Sequence, residues 1–465
     1  MTLAQPAHVE YGTVTSVEGP LMVVRGIAGV GWDEQALIKL DSGQVRHGQV
    51  LEVDRDLAVV EVFEGGDGIK PDGVSVAFTG SPIQIPVGEG WMGRVCNGRG
   101  EVIDGGPPVT GDEWRGVAGS PINPAHREPP RDPIITGVSA VDGLTTLVRG
   151  QKLPIFSVGG LPHLELAAQI AAQATVEGSS FRVIFAAMGI TNADADLVRD
   201  VLEERADRGE LALFINLAGD PVVERILVPR LALTVAEHLA FDLGHHVLVV
   251  MCDMTSYCEA VREAASARGE IPGRRGYPGH LYSDLASVYE RCGRLRGRQG
   301  SITQLPVLTM PAGDITHPVP DLTGYITEGQ LVLSAEMQAR GVYPPFEALS
   351  SLSRLMRNGA GPGRTRDDHL GVSSQVFAGL ARAREVRELE EMIGAEALSE
   401  TDQSYLRFAS AIEHSMLDQR RDELRGIGET LDRAWQALAL LPRRELTMLP
   451  QDVIDEHLPS KGGVA

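Results

Sequence analysis

The chain has 465 residues, enough for roughly two to four domains, and its 43% hydrophobic and 23% charged content calls for a sizeable core. A formal net charge of −21 disfavours a general nucleic-acid binder, because phosphate contacts need a basic face. Cys96, Cys252, Cys258 and Cys292 are too scattered for a disulfide framework, no signal-peptide pattern opens the sequence, and no apolar run reaches about 18 residues, so a cytosolic chain without a spanning helix is expected.

Residues 9 to 75 alternate β-branched and polar side chains, as in "YGTVTSVEGPLMVVRG" and "GQVLEVDRDLAVVEVFEG", with Gly-containing turns between them. That pattern predicts a small β-barrel of about six strands. From 76 to about 145 the chain is rich in Gly and Pro, "GRVCNGRGEVIDGGPPV" for example, with apolar residues interleaved, which predicts an ordered lead-in wrapping a core. Between 150 and about 355, "FRVIFAAMG" (181 to 189), "LALFINLA" (211 to 218) and "HVLVVMCD" (246 to 253) are short apolar runs separated by helix-length segments, the signature of a mostly parallel sheet covered on both faces. Past 365 the strands vanish and helical periodicity takes over, so the charged residues there read as a solvated face. The expected division is 1–75, an N-terminal β-barrel; 76–358, an α/β nucleotide-binding-type core; and 359–465, a C-terminal helical bundle.

"IFSVGGLPHLEL" (155 to 166) has the strand, glycine turn, helix layout of a phosphate-binding loop. A working loop reads G-x-x-x-x-G-K-[ST], its lysine reaching the β/γ oxygens and its hydroxyl ligating Mg²⁺. On that frame Ser157, Gly159 and Gly160 remain, but the lysine position is His163, a residue type mostly neutral at physiological pH. Leu164 stands where the metal-ligating hydroxyl belongs, and Pro162 removes a donating N–H. The alternative is an ordinary strand-to-helix turn. Asp253 ends a buried strand as a Walker B acid does, where it would orient Mg²⁺ through water; the alternative there is a helix cap.

Long runs carry a more specific signal: "NGRGEVIDGGP", "TGVSAVDGLTTLVRGQKLPIFS", "GRRGYPGHLYSDLASVYERCGRLRGRQGSITQLPVLTMP", "DITHPVPDLTGYITEGQ" and "PPFEALSSLSRLM". With these the chain resembles, nearly end to end, the non-catalytic B subunits of V/A-type rotary ATPases. The resemblance implies a RecA-like P-loop domain between a barrel and a helical bundle. It implies three copies alternating with three catalytic A subunits, which carry out ATP synthesis or hydrolysis with Mg²⁺ in step with ion transport. Rotor-shaft subunits and, at the barrel, peripheral-stalk subunits are the further partners, with no nucleic acid. The membrane is reached only through the complex, at the cytoplasmic side of the plasma membrane.

The same resemblance assigns residues. Catalytic relatives place a water-orienting glutamate after the strand that follows the loop helix, and here Ile190 or Thr191 occupies that place, neither able to act as a general base. Arg354, in "SLSRLM", falls where the family supplies an arginine finger in trans to ATP on the neighbouring catalytic chain; the alternative is a surface salt bridge. Tyr343 aligns with an aromatic facing adenine, or is a core tyrosine. "EALSETD" (396 to 402) resembles a rotor-touching turn, or is a plain loop. Val158, Leu164 and the Phe346–Glu347 pair depart from the family pattern, which points to weak or vestigial nucleotide binding in this chain's own loop. Arg274, Arg275, Arg291, Arg294, Arg296 and Arg298 could suggest an RNA motor of the Rho type, which also begins with a barrel, though the family run favours an interface or loop role. A structural scaffold with no nucleotide contact is the third reading.

Overall fold

The computed structural model describes residues 9–458 except 12 and 112. The N-terminal alternation folds into seven antiparallel strands, in the order Val9–Tyr11, Val74–Pro82, Glu34–Leu40, Val45–Asp54, Leu57–Val62, Leu21–Arg25 and Val14–Glu18. That is one more than the pattern predicts, because the three residues Val9–Tyr11 pair with Val76–Phe78 at the sheet's edge. Strand Val14–Glu18 also touches Val74–Pro82, so the sheet curls into a barrel around a core of its own that includes Met22, Val24, Ile38 and Val60. Its last strand runs beyond residue 75.

The Gly/Pro-rich lead-in is ordered. Gln84–Val87 pairs with Glu113–Gly116, and Val95–Asn97 adds a parallel strand beside Leu211–Leu217. Short strands flanked by glycine carry almost no periodicity, which is why sequence alone reads this region as wrapping and nothing more.

The main sheet runs Leu352–Ser353, Gly329–Val332, Ile155–Ser157, Ser301–Thr309, His246–Cys252, Phe181–Ile190, Leu211–Leu217, Val95–Asn97. All neighbours in this path are parallel except the first pair. Helices His163–Gln173 and Asn192–Asp207 cover one face, while Val222–Glu237 and Met254–Ala267 cover the other. Leu, Ile, Val and Ala fill both interfaces, as a sheet buried on two sides requires.

The C-terminal helices His369–Ile393, Glu400–Ala411 and Ile427–Leu438 do not build a separate core. Val372, Phe408 and Leu431 join the cluster that holds Leu166 and Ile170 of the loop helix, so the bundle is fused to the face of the sheet that carries the glycine turn. Among the described residues no helix is long and apolar enough to cross a membrane.

Candidate functional site

Strand Ile155–Ser157 delivers the chain to the carboxyl end of the parallel sheet, the place where open α/β folds bind ligands. Gly160 turns the backbone with φ +86°, a conformation that side chains with a Cβ rarely adopt, and Pro162 stands at the N-cap of helix His163–Gln173. The turn then closes on itself. The amide of Leu161 donates to the Val158 carbonyl at 3.3 Å and that of His163 to the Leu161 carbonyl at 2.8 Å. His163 Nδ1 lies 2.9 Å from the same Leu161 oxygen and 3.3 Å from Ser157 Oγ. Two of the amides that would cradle phosphates are therefore engaged, and Pro162 has none. Leu164 is buried in the core and offers the cleft only an apolar side chain.

A cleft of about 400 Å³ opens over this turn, lined among others by Gly160, His163, Asp253, Ile190 and Thr191. The structure thus brings together the two halves of the site that the sequence places about ninety residues apart. Asp253 meets the N-terminus of helix Met254–Ala267: one carboxylate oxygen accepts the Thr255 amide at 2.6 Å, and the other accepts the Thr309 hydroxyl. It is a helix cap that also faces the cleft. Thr191 caps helix Asn192–Asp207 through a reciprocal pair with Asp194. The place where the family resemblance leads one to expect a water-orienting glutamate is a helix start. Below the cleft, burial pushes the Cys252 thiol well above its ordinary value, so it stays protonated.

The residues present do not fit a Mg²⁺–triphosphate held in the manner of a P-loop. Among the described residues no lysine lines the cleft, Leu164 stands where a hydroxyl would follow the turn, and both oxygens of Asp253 are already hydrogen-bonded.

Tyr343 lies next to this cleft, not in it. Its phenol donates to Gln169 Oε1 at 2.9 Å, and burial holds the group well above the usual tyrosine range. The guanidinium of Arg421 sits 5.2 Å from the centre of the Tyr343 ring and 3.6 Å from Glu165, joining the two hollows. Arg421, Glu165 and Asp194 are the cleft residues that sequence reasoning passes over. The pair Arg420–Arg421 in "DQRRDELRG" is readable as charge, but its helix-rich setting makes it look like solvated surface.

Arg354 is elsewhere. It follows the antiparallel edge strand Leu352–Ser353, and because Ser353 pairs with Gly329 at the start of Gly329–Val332, it stands at the amino end of the parallel strands. Its amide donates to the Glu328 carbonyl at 3.0 Å and one guanidinium nitrogen to the Thr327 carbonyl at 3.2 Å. The side chain is exposed, and among the described residues no carboxylate pairs with it. Among its neighbours Arg357 is likewise exposed and without a carboxylate partner among the described residues, whereas Arg364 pairs with Asp132 at 3.7 Å and Arg366 with Asp368 at 2.7 Å. The surface salt bridge offered as the alternative for Arg354 is not formed.

Most of the basic stretch is internally matched, Arg296 being exposed with no carboxylate partner among the described residues. Arg291 is fully buried and holds Glu237 with two hydrogen bonds of 2.6 and 2.8 Å, Arg275 pairs with Asp314, and Arg274 with Asp321. Phe346 is packed in the core, while Glu347 pairs with Arg384 at 2.9 Å.

Comparison with known proteins agrees with this architecture. Residues 14–80 match the β-barrel domain of the ATP synthase alpha/beta family, residues 137–353 its nucleotide-binding domain, and residues 358–458 the C-terminal domain of V and A type ATP synthase. The chain is 54% identical over 452 residues to the B subunit of the A-type ATP synthase of Aeropyrum pernix, covering 97% of this chain and 98% of that protein. It also resembles the solved structure of NeqB, an ATP synthase component from Nanoarcheaum equitans, with 35% identity and a TM-score of 0.71, over 88% of this chain and all of that one.

Proposed function

The chain belongs to the B-subunit family of A/V-type ATP synthases, and from that premise we propose that it is the non-catalytic partner in an alternating ring, three copies with three catalytic A subunits. In this reading Arg354 reaches across the interface to the triphosphate that the catalytic neighbour holds with Mg²⁺. A planar guanidinium can direct two N–H groups at γ-phosphate oxygens and offset the charge that develops as the bond to the leaving oxygen breaks. The observation that carries the reading is the contrast in charge: Arg354 is exposed and unpaired by any carboxylate among the described residues, whereas this chain's own turn has lost its lysine, its metal-ligating hydroxyl and the water-orienting glutamate.

The chain's own cleft then acts as architecture and as a weak anion site. His163, Ser157, Gly159 and Gly160 frame it, Tyr343 stands beside it on the side proposed for the base, and Mg²⁺ would meet Asp253 only through water. Contacts with the rotor shaft at 396–402 and with a peripheral stalk at the barrel complete the assembly, which places the chain on the cytoplasmic face of the plasma membrane. In the Arg274–Arg298 stretch Arg274, Arg275, Arg291 and Arg294 already hold carboxylates, which speaks against the broad basic patch that an RNA motor would need.

The direct test is ATPase activity of the purified chain with and without its catalytic partner. The expected result is no turnover alone and robust turnover once the ring is assembled. Turnover by the isolated chain at the rate of the assembled ring overturns the reading.

A further inference from the structure

Outside both the glycine turn and the Arg354 edge, one histidine is buried without any hydrogen-bond partner. His238 is 5% exposed, begins a π-helical segment, His238–Asp242, that extends helix Val222–Glu237, and neither of its ring nitrogens makes a hydrogen bond. Buried polar groups in folded proteins are almost always hydrogen-bonded, so an imidazole with both nitrogens orphaned needs an explanation. Its Nδ1 lies near two carboxylates without being aligned for a hydrogen bond to either. Asp242 Oδ2 lies 3.2 Å away and Glu113 Oε1 3.9 Å away, and the ligand atoms of the three residues lie within 4.8 Å of one another.

We propose that Glu113, His238 and Asp242 form a binding site for a zinc-class divalent cation. Tetrahedral zinc with bonds of about 2.0–2.1 Å to nitrogen and oxygen sets its ligand atoms about 3.3 Å apart, which the His238–Asp242 separation meets and a small movement of exposed Glu113 would complete. One neutral imidazole with two carboxylates suits zinc, or cobalt as its spectroscopic stand-in, and not Mg²⁺ or Ca²⁺, which take oxygen ligands. The histidine and Asp242 come from the end of one helix, and Glu113 from the strand Glu113–Gly116 in the lead-in. Bound metal would therefore tie the wrapping segment to the α/β core.

Two arginines compete for the same carboxylates. Arg115 holds Asp242 at 2.8 Å and also pairs with Glu113, and Arg298 approaches Asp242 at 3.9 Å. Arg115 is the counter-cation of the metal-free site, and a divalent ion must displace it. Its side chain keeps about a third of its surface in water, so those pairs are weak and can be exchanged. Arg298 is more exposed still.

The experiment uses the untagged full-length chain, stripped with EDTA and titrated with Zn²⁺ against a chelating dye, with thermal unfolding followed in parallel. One equivalent should bind and raise the melting temperature. His238→Ala should weaken that binding roughly a hundredfold and abolish the thermal shift. Arg115→Gln, which removes the competing cation and leaves every ligand in place, should tighten it severalfold, so a misfolded His238 variant does not decide the matter alone. Absence of a stoichiometric site, binding indifferent to His238→Ala in a folded variant, or binding unchanged or weakened by Arg115→Gln each overturns the proposal.

Discussion

At the carboxyl end of strand Ile155–Ser157 the glycine turn is closed by its own amides and by His163, while at the amino end of the same sheet Arg354 holds a single backbone carbonyl and leaves most of its guanidinium uncommitted. The acids around the cleft are similarly occupied, Asp253 and Asp194 as helix caps and Glu165 beside Arg421. The comparison teaches that the two ends of one sheet can differ in how far their polar groups satisfy one another. A loop whose ligand-facing groups satisfy each other gains order without a ligand, whereas the exposed Arg354 guanidinium keeps N–H groups available to an acceptor from outside, as the proposed finger requires.

The sharpest way to break the comparison is Arg354→Ala in the assembled ring. Removing an arginine finger costs on the order of 10³–10⁵ in rate in other phosphoryl-transfer systems, so turnover should fall at least about a thousandfold. Assembly, read by the mass of the purified complex, should not change, because among the described residues the side chain's hydrogen bond is to the Thr327 carbonyl alone. Arg354→Lys keeps the charge but not the forked geometry and should recover only a small part of the rate. A ring that keeps its rate with alanine at 354 would mean the chain is a scaffold.

How much of this contrast could be read from sequence differs at the two ends. The three-layer order of barrel, parallel sheet and helices is legible because long apolar runs alternate with helical periods, and the missing lysine and hydroxyl are legible as letters. The capping box at Thr191 and Asp194 is also spelled out, as T-x-x-D, although its meaning as a helix start emerges only with the strand in place. Arg421 is different. It meets Tyr343 and Glu165 only because the bundle shares its core with the loop helix, a tertiary fact with no local signal. Likewise Val95–Asn97 becomes a strand because the edge of Leu211–Leu217 is there to pair with.

A second prediction sharpens the closed end. Pro162→Gly restores one amide and His163→Lys supplies the absent charge, while Leu164 stays in the core. A charge-assisted contact to phosphate contributes about 1.5–3 kcal/mol, so Mg²⁺–ATP binding by the isolated chain should tighten about 10–100-fold, measured by calorimetry. Hydrolysis should remain undetectable, since Ile190 and Thr191 still offer no base. Unchanged affinity would show that the engaged turn, and not the missing charge, is what excludes phosphate.

The smallest effect concerns the place of the lost glutamate. Thr191 accepts the Asp194 amide at 3.2 Å and Asp194 answers by accepting the Thr191 amide, so the residue serves the helix and not the cleft. Replacing such a cap with alanine costs about 1 kcal/mol. In a domain of this size that corresponds to a fall of about 2–4 °C in melting temperature. Thr191→Asn provides an equivalent acceptor and should recover the loss. Neither change should alter turnover of the assembled ring, because in the proposed function the rate depends on Arg354 at the other end of the sheet. Slower turnover with unchanged melting would invert that assignment: position 191 would then be chemical, and this chain's cleft would take part in the cycle it is here held to support only from outside.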